Sequence, residues 1–211
     1  MNWSETLQKY NPFRNYKSFS HWFSYHKRAV ILVLLTLGAG IYFALLPKNP
    51  EADYVVSWVS TKLLSDRQEQ ALTDQITAVG ADVNSDGQIV VRIDQYMISF
   101  DPNLEGDALT ESYSYLTKLL NAIQAGDCRL YFMDDPEGFQ RTTGLLQYLD
   151  GTIPSETDSY ECANWAEMCV PFQADWTDQT IYLGRRCLFH GEDPEAYFPG
   201  ADALFTALTE G

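Results

Sequence analysis

Residues 53–80 read DYVVSWVSTKLLSDRQEQALTDQITAVG, and this stretch decides the fold class. Its first nine residues are mainly β-branched, aromatic or small, a composition that predicts a short buried strand. The remainder places four apolar residues on one face of a helix: Leu64, Leu72, Ile76 and Val79. Ser65 and Gln68 have the spacing of a capping box at the helix start, and Gly80 suits its end. The stretch therefore predicts a strand followed by a helix.

The same order of strand and helix follows twice more along the chain. Residues 88–100 predict a second strand, and the helix after it carries an apolar stripe: Leu109, Tyr113, Leu116, Leu120 and Ile123. Residues 128–133 predict a third strand. Its helix has Asp135 as N-cap, Pro136 at the first helical position and Gly151 beyond its end. This alternation predicts an α/β fold, a single domain with a mainly parallel sheet and helical crossovers.

The periodicity breaks down after the third helix. Residues 152–178 are rich in turn formers, acids and tryptophan, and they predict a long irregular excursion held by Cys162 and Cys169. Ordered loops of this length are uncommon and are often functional. Residues 180–189 then predict a last strand, and residues 200–210 predict a short closing helix.

An uncharged apolar run precedes this domain. Residues 29–46 are 18 residues without a charge, bounded by basic residues on both sides. A membrane-spanning helix needs roughly 17–25 such residues. The run ends without a small-residue cleavage site, so we expect an uncleaved signal anchor. The predicted parts are a basic, aromatic cytoplasmic segment at 1–28, a transmembrane helix at 29–46, a linker at 47–52 and an extracytoplasmic α/β domain at 53–211.

Charge predicts the orientation of this anchor. Residues 1–28 carry five basic side chains and one acidic side chain, whereas the residues after the run carry nine basic and 28 acidic ones, a net charge of −19. Basic residues beside a span hold that end in the cytoplasm, so we expect a single-pass protein of the cell membrane with its C-terminal domain outside. The acidic balance excludes nucleic acid as a partner. Solubility explains the charge most simply, and an acidic site for a basic ligand is the alternative.

All four cysteines lie in the predicted outer domain. An even number in an oxidising compartment predicts disulfide bonds, and the favoured pairs are Cys128–Cys187 at strand ends and Cys162–Cys169 within the irregular region. Free buried cysteines are the alternative, because cysteine is also a common core residue. Zinc is disfavoured, since the domain has no C-x-x-C pair and His190 is its only histidine.

Residues 81–89, ADVNSDGQI, look like the first half of a calcium-binding loop. Asp82, Asn84 and Asp86 offer oxygen atoms at alternate positions, and a glycine follows where such loops turn. The twelfth position, which should be a bidentate acid, is Ile93. The alternative is a helix-to-strand turn in which Asp and Asn side chains bond to nearby backbone groups. We therefore expect no cofactor, with calcium at this loop as the weaker alternative.

Asp134 and Asp135 follow the third predicted strand, at the edge where open α/β sheets bind ligands. Two adjacent carboxylates suit a cation or an amine there, although Asp-Pro-Glu is also ordinary helix capping. Trp165 and Trp176 would add apolar contact from the irregular region. We expect these four residues to form a ligand site. The usual nucleophile, phosphate-loop and zinc-protease motifs do not occur in the sequence, so a hydrolase is the least favoured function.

Residues 125–152, AGDCRLYFMDDPEGFQRTTGLLQYLDGT, resemble a segment of the extracellular solute-binding proteins that serve importers. In that family a strand after such a start ends in an acidic turn and leads into a helix. The overall layout is similar to single-pass membrane proteins of unassigned function from Gram-positive gut bacteria. The resemblance implies one ligand-binding lobe, whereas the family has two. We expect a membrane-anchored binding domain for a small ligand or a protein partner, with an assembly subunit of a membrane complex as the alternative.

Overall fold

The computed structural model describes residues 19–45, 51–154, 162–188 and 193–210. The chain divides into two compact units, Met1–Asn49 and Pro50–Gly211. Most of the predicted cytoplasmic segment and most of the predicted linker lie outside the described residues.

The first unit contains helix α1, which spans Phe19–Leu45. Large apolar side chains are exposed along its centre: Ile31, Leu32, Val33, Leu34, Leu35, Leu37 and Ile41. Because successive residues of a helix are turned by about 100°, the five consecutive ones cover every face of the helix. Within the part of the chain that the structure describes, no helix combines the length and the apolar character needed to cross a membrane.

The second unit begins with alternating strands and helices and ends with two antiparallel strands and two helices. Its elements are β1 Tyr54–Ser60, α2 Asp66–Val79, β2 Val91–Met97, α3 Gly106–Ala125, β3 Leu130–Met133, α4 Pro136–Thr143, a 3-10 helix Cys162–Glu167, β4 Cys169–Phe172, β5 Ile181–Arg185, α5 Pro194–Tyr197 and α6 Ala201–Glu210. The α/β prediction is confirmed at this level.

The five strands form one mixed sheet in the order β2-β1-β3-β5-β4. β1 is parallel to both of its neighbours, β2 and β3. β5 is antiparallel to β3, with Leu130 opposite Arg185, and β4 is antiparallel to β5. The predicted parallel core is therefore present, and two antiparallel strands extend it. β4 lies inside the region that the sequence predicts to be irregular throughout.

Hydrophobic clusters cover both faces of the sheet. One includes residues of α2 and α6: Val56, Trp58, Leu72, Ile76, Phe132, Leu204 and Phe205. The other includes residues of α3 and α4: Val59, Leu119, Ile123, Tyr131, Phe139 and Leu146. Adjacent residues of a strand point to opposite faces, which is why Trp58 and Val59 belong to different clusters. α2 and α3 thus cover opposite faces, as in a doubly wound α/β domain.

The helix ends follow the sequence signals in part. The capping box of α2 is present, since Gln68 Oε1 accepts hydrogen bonds from Ser65 N at 3.0 Å and Ser65 Oγ at 2.8 Å. Asp135 caps α4 as predicted. α4 is shorter than predicted, however, because Gly144 takes a left-handed conformation (φ 63°) directly after Thr143 and ends the helix there.

The predicted apolar stripe of α3 is correct only in part, since Ile123 is buried and Leu116 packs against the same cluster. The helix buries Ser112, Leu119 and Ile123, and it leaves three stripe residues exposed: Leu109, Tyr113 and Leu120. The hydroxyl of Ser112 explains how a polar residue lies inward. It accepts a hydrogen bond from Ser99 N at 3.0 Å and donates one to Ser99 O at 3.2 Å, so its polar atom is satisfied.

Buried positive charge ties α6 to the sheet. Arg129 is only 3% exposed and donates from Nε and Nη2 to the Asp202 carboxylate, at 3.0 and 2.9 Å. Arg185 reaches the same carboxylate at 3.3 Å, and its guanidinium lies 4.4 Å from the centre of the Phe205 ring. A buried ion pair needs such additional contacts to offset the loss of hydration.

Candidate functional site: the carboxyl-edge cleft

The strand order defines the place where a doubly wound sheet binds ligands. β1 lies between β2 and β3. The chain therefore forms β2 on one side of β1 and then crosses back to form β3 on its other side. The helices that follow β1 and β2 cover opposite faces. At such a switch point the loops after neighbouring strands separate and leave a crevice outside the carboxyl ends of the strands. The crevice here lies beyond the ends of β1, β2 and β3.

Asp134 lies in this crevice, directly after β3. Its Oδ2 accepts hydrogen bonds from Ser60 Oγ at 2.8 Å, from Thr61 N at 2.9 Å and from Thr61 Oγ1 at 2.9 Å. Gln179 Nε2 adds a longer contact of 3.4 Å. Asp134 Oδ1 is buried and has no hydrogen-bond partner among the described residues. One carboxylate oxygen therefore joins the ends of β1 and β3, and the other is left without a donor.

A cleft of about 530 Å³ opens at this edge. Its lining residues come from the loops after β1, β2 and β3 and from α4: Thr61, Ile98, Ser99, Phe100, Asp101, Pro102, Asp134, Asp135, Glu137 and Arg141. Four of them are acidic, and Arg141 is the one basic residue. Arg141 Nη1 lies 3.4 Å from Glu137 Oε1, and both of these side chains are about half exposed. The cleft is thus acidic, with an apolar wall at Phe100.

The start of α4 fixes the position of Asp135 in the cleft wall. Asp135 Oδ1 accepts a hydrogen bond from Gly138 N at 2.8 Å, so this carboxylate caps the helix. A side chain at Gly138 would overlap both Asp135 Oδ2 and the Phe100 ring. Glycine at this position therefore allows the helix start to approach the loop after β2, which brings Asp135 and Phe100 together.

The two predicted tryptophans lie outside the cleft. Trp176 packs against the α2-side cluster, with its ring centre 6.0 Å from that of Trp58, and its Nε1 donates to Gln75 Oε1 at 2.8 Å. Trp165 makes an edge-to-face contact at 5.4 Å with Tyr182, which packs on the other face of the sheet. The structure thus joins Asp134 and Asp135 in one site but does not bring the tryptophans to it.

The calcium-like loop uses its oxygen atoms for its own backbone. Asp82 Oδ1 and Oδ2 accept from Asp86 N and Gly87 N, Asn84 Oδ1 accepts from Asp86 N, and Asp86 Oδ1 accepts from Gln88 N. This is the bonding expected of a turn. Within the described ranges, no group of three or more His, Cys, Asp or Glu side chains is placed to hold a metal ion.

Sequence reasoning missed the residue that holds this loop to the sheet, Asp53. The residue is 8% exposed, and its carboxylate accepts from three backbone N–H groups: Val83 at 2.8 Å, Asn84 at 3.1 Å and Val90 at 2.8 Å. Burial alone would raise the pKa of Asp53, but these N–H donors outweigh it and hold the pKa below its usual value. The sequence gives a weak signal, an acid directly before a β-branched run.

The described thiols of Cys128, Cys169 and Cys187 are free and buried. The predicted Cys128–Cys187 bond is therefore not formed in the structure. Cys169 is likewise not joined to Cys162, whose side chain lies outside the described residues. The backbone N–H of Cys187 donates to Leu145 O at 2.6 Å.

The thiols instead behave as small core groups. Cys128 Sγ donates to Val55 O at 3.3 Å, and Cys187 Sγ donates to Leu146 O at 3.3 Å. Burial raises the pKa of Cys128 and of Cys187 to about 11 and that of Cys169 to about 12. Because the thiolate is the reactive form of cysteine, these groups are poor nucleophiles at neutral pH.

The other cleft residues were also missed, although a signal existed. Thr61, Phe100 and Asp101 follow β1 and β2 by one to four positions. Residues just after parallel strands converge at one edge of the sheet, so each predicted strand end marks a candidate site residue.

Comparison with protein-family models, with curated proteins and with solved structures gives no significant match for this chain.

Proposed function

We propose that this chain is a membrane-anchored binding protein whose outer domain takes a small ligand with a cationic group, an ammonium or a guanidinium. The observation that carries the proposal is the carboxyl-edge cleft, where four carboxylates meet one guanidinium at the switch point of the sheet. Charge-assisted hydrogen bonds to carboxylates are the strong contacts available to such a ligand. Phe100 offers an apolar surface beside them.

The anchor part of the proposal rests on the uncharged run 29–46 and its basic flank. This run continues past Tyr42, the last α1 side chain that the structure describes. The exposed apolar residues of α1 support it, since a helix that is apolar on every face is typical of a hydrophobic surrounding. With the N-terminus in the cytoplasm, the acidic domain would meet ligands outside the cell.

The one-lobe resemblance to extracellular solute-binding proteins adds a second line of support. In this proposal the lobe offers its carboxyl edge as an open cleft. Open clefts bury less of a ligand and depend more on charged contacts. We therefore expect modest affinity with strong dependence on ionic strength.

Calorimetric titration of the detergent-purified chain with spermidine and with L-arginine tests the ligand class. The variant Asp101→Asn/Glu137→Gln should weaken binding about tenfold or more, because two charged contacts of roughly 1 kcal/mol each are lost. Asp74→Asn/Asp175→Asn removes the same charge from exposed positions outside the cleft and should leave the affinity unchanged.

Two results would count against this function. If neither probe binds at low ionic strength, the cleft does not select cationic groups. If both double variants weaken binding equally, the probes respond to the overall negative charge of the domain. Protease protection of a C-terminal tag in intact spheroplasts would separately contradict the proposed orientation.

A second candidate function is supported by the exposed residues of α3. Leu109, Tyr113 and Leu120 expose 36%, 60% and 38% of their surfaces along one side of that helix. An apolar stripe of this kind suits a protein partner, which favours the assembly-subunit alternative. Retention of a stable subunit through purification, lost on Tyr113→Ser, would favour this alternative over ligand binding.

A further inference from the structure

The two edges of the sheet differ in their capacity to accept another strand. β4 ends one side of the sheet, and it is four residues long with Pro171 inside it. Proline has no N–H to donate, so this edge is blunted. β2 ends the other side with seven residues and no proline. One row of its backbone N–H and C=O groups faces outward, beyond the five-stranded sheet.

The side chains of β2 are self-complementary. Arg92 and Asp94 lie on one face of the strand, with Arg92 Nη2 3.3 Å from Asp94 Oδ2 and side-chain exposures of 54% and 31%. Val91 and Ile93 lie on the opposite face and are only partly buried against the α2-side cluster. Residues 91–94 therefore present one positive, one negative and two incompletely buried apolar side chains.

We propose that β2 pairs with β2 of a second copy of this chain, antiparallel and centred on Ile93. This register places Arg92 opposite Asp94 of the second copy, and the two-fold symmetry repeats the pair. Ile93 then meets its own equivalent, and Val91 lies opposite Gln95. Centring the pair on Asp94 or on Arg92 would instead place like charges opposite each other, which is unfavourable. The charged side chains therefore favour one register. Pairing in this register would join the two five-stranded sheets into a single sheet of ten strands.

The test is a charge exchange in the detergent-solubilised full chain, with the oligomeric state measured by sedimentation velocity. Arg92→Asp alone places an aspartate opposite Asp94 of the second copy. Asp94→Arg alone places an arginine opposite Arg92 of the second copy. Each should raise the dimer dissociation constant about tenfold, because both symmetry-related pairs become repulsive. The double variant Arg92→Asp/Asp94→Arg restores opposite charges and should return the constant to within about threefold of the wild-type value.

Arg67→Asp and Asp175→Arg are the matched controls, since they change the net charge equally at exposed positions outside β2. Hydrogen exchange supplies a second measurement: the outward-facing amides among residues 91–97 should exchange more slowly as protein concentration rises. A wild-type chain that stays monomeric, single variants that leave the dimer intact, or a double variant that fails to restore it would each overturn the proposal. Concentration-independent exchange in these amides would overturn it as well.

Discussion

Replacing Asp53 should markedly lower the free energy of unfolding of the domain, although the residue precedes β1 and takes no part in the proposed cleft. In Asp53→Ala, the N–H groups of Val83, Asn84 and Val90 lose their common acceptor. A buried donor left without a partner costs about 1–3 kcal/mol. Val83 and Val90 are half-buried, whereas Asn84 is exposed and can bond to water. Counting only the two half-buried donors gives a loss of roughly 3 kcal/mol.

Asp53→Asn is the more informative change, because it keeps the size and one acceptor oxygen of the side chain. Its side-chain NH2 group would face a backbone N–H whose hydrogen bond a carboxylate oxygen accepts in the wild type. We therefore expect the free energy of unfolding to fall by roughly 1–2 kcal/mol. For a domain of this size each kcal/mol lowers Tm by about 2–4 °C. The expected order of stability is therefore wild type, Asp53→Asn, Asp53→Ala.

The pH dependence gives a second, independent readout. The pKa of Asp53 is lower in the folded state than in the unfolded chain, because backbone N–H groups bond to its carboxylate. Its ionised form therefore stabilises the fold above the unfolded pKa, and this contribution is lost as pH falls through the folded pKa. Asparagine has no such titration. The difference in unfolding free energy between wild type and Asp53→Asn should thus shrink below about pH 4.

Urea unfolding of residues 50–211, followed by the combined fluorescence of Trp58, Trp165 and Trp176, measures these free energies. Asp175→Asn is the control, since it removes one exposed carboxylate from a loop. An Asp53→Asn protein as stable as wild type would refute the reasoning. So would a stability difference that stays constant from pH 7 to pH 3, because the effect would then not come from the carboxylate charge.

Four further outcomes follow from the packing. The three described cysteine thiols should resist alkylation in the native protein at neutral pH and react fully after unfolding without reductant; disulfides would leave them unreactive in both states. Gly138→Ala should cost about 1–3 kcal/mol in urea unfolding, because its Cβ would overlap Phe100. Asp202→Asn should cost about 2 kcal/mol, since it leaves a buried arginine without its charged partner, and an unchanged midpoint would contradict this. Trp176→Ala should lower Tm by several degrees, through lost packing and the lost bond to Gln75, and leave probe binding unchanged.

The first half of the domain was predictable because its signals are local. The capping box at Ser65 and the N-cap at Asp135 act over three or four residues, and both are present. The three strand–helix units, and hence the parallel core, follow from periodicity within short windows. The position of Asp134 beyond β3 follows from the same reading, since parallel strands share one carboxyl edge.

The errors arise where distant contacts decide between local alternatives. α3 has apolar residues on two sides, and the buried side is the one where Ser112 can bond to the loop after β2. β4 is a strand only because β5 pairs with it, and its proline and short length hide it in the sequence. α4 could end at either of two glycines, and Gly144 ends it before Gly151 is reached.

The ion pairs of Asp202 have a consequence for the order in which the domain can form during synthesis. α6 follows all five strands in the chain, so a ribosome makes β3 and β5 well before it makes Asp202. Until then Arg129 and Arg185 lack the carboxylate that both contact in the finished fold, and burying them carries a penalty of several kcal/mol. A partly made domain should therefore stay loosely folded and reach its final packing only after α6 has been synthesised.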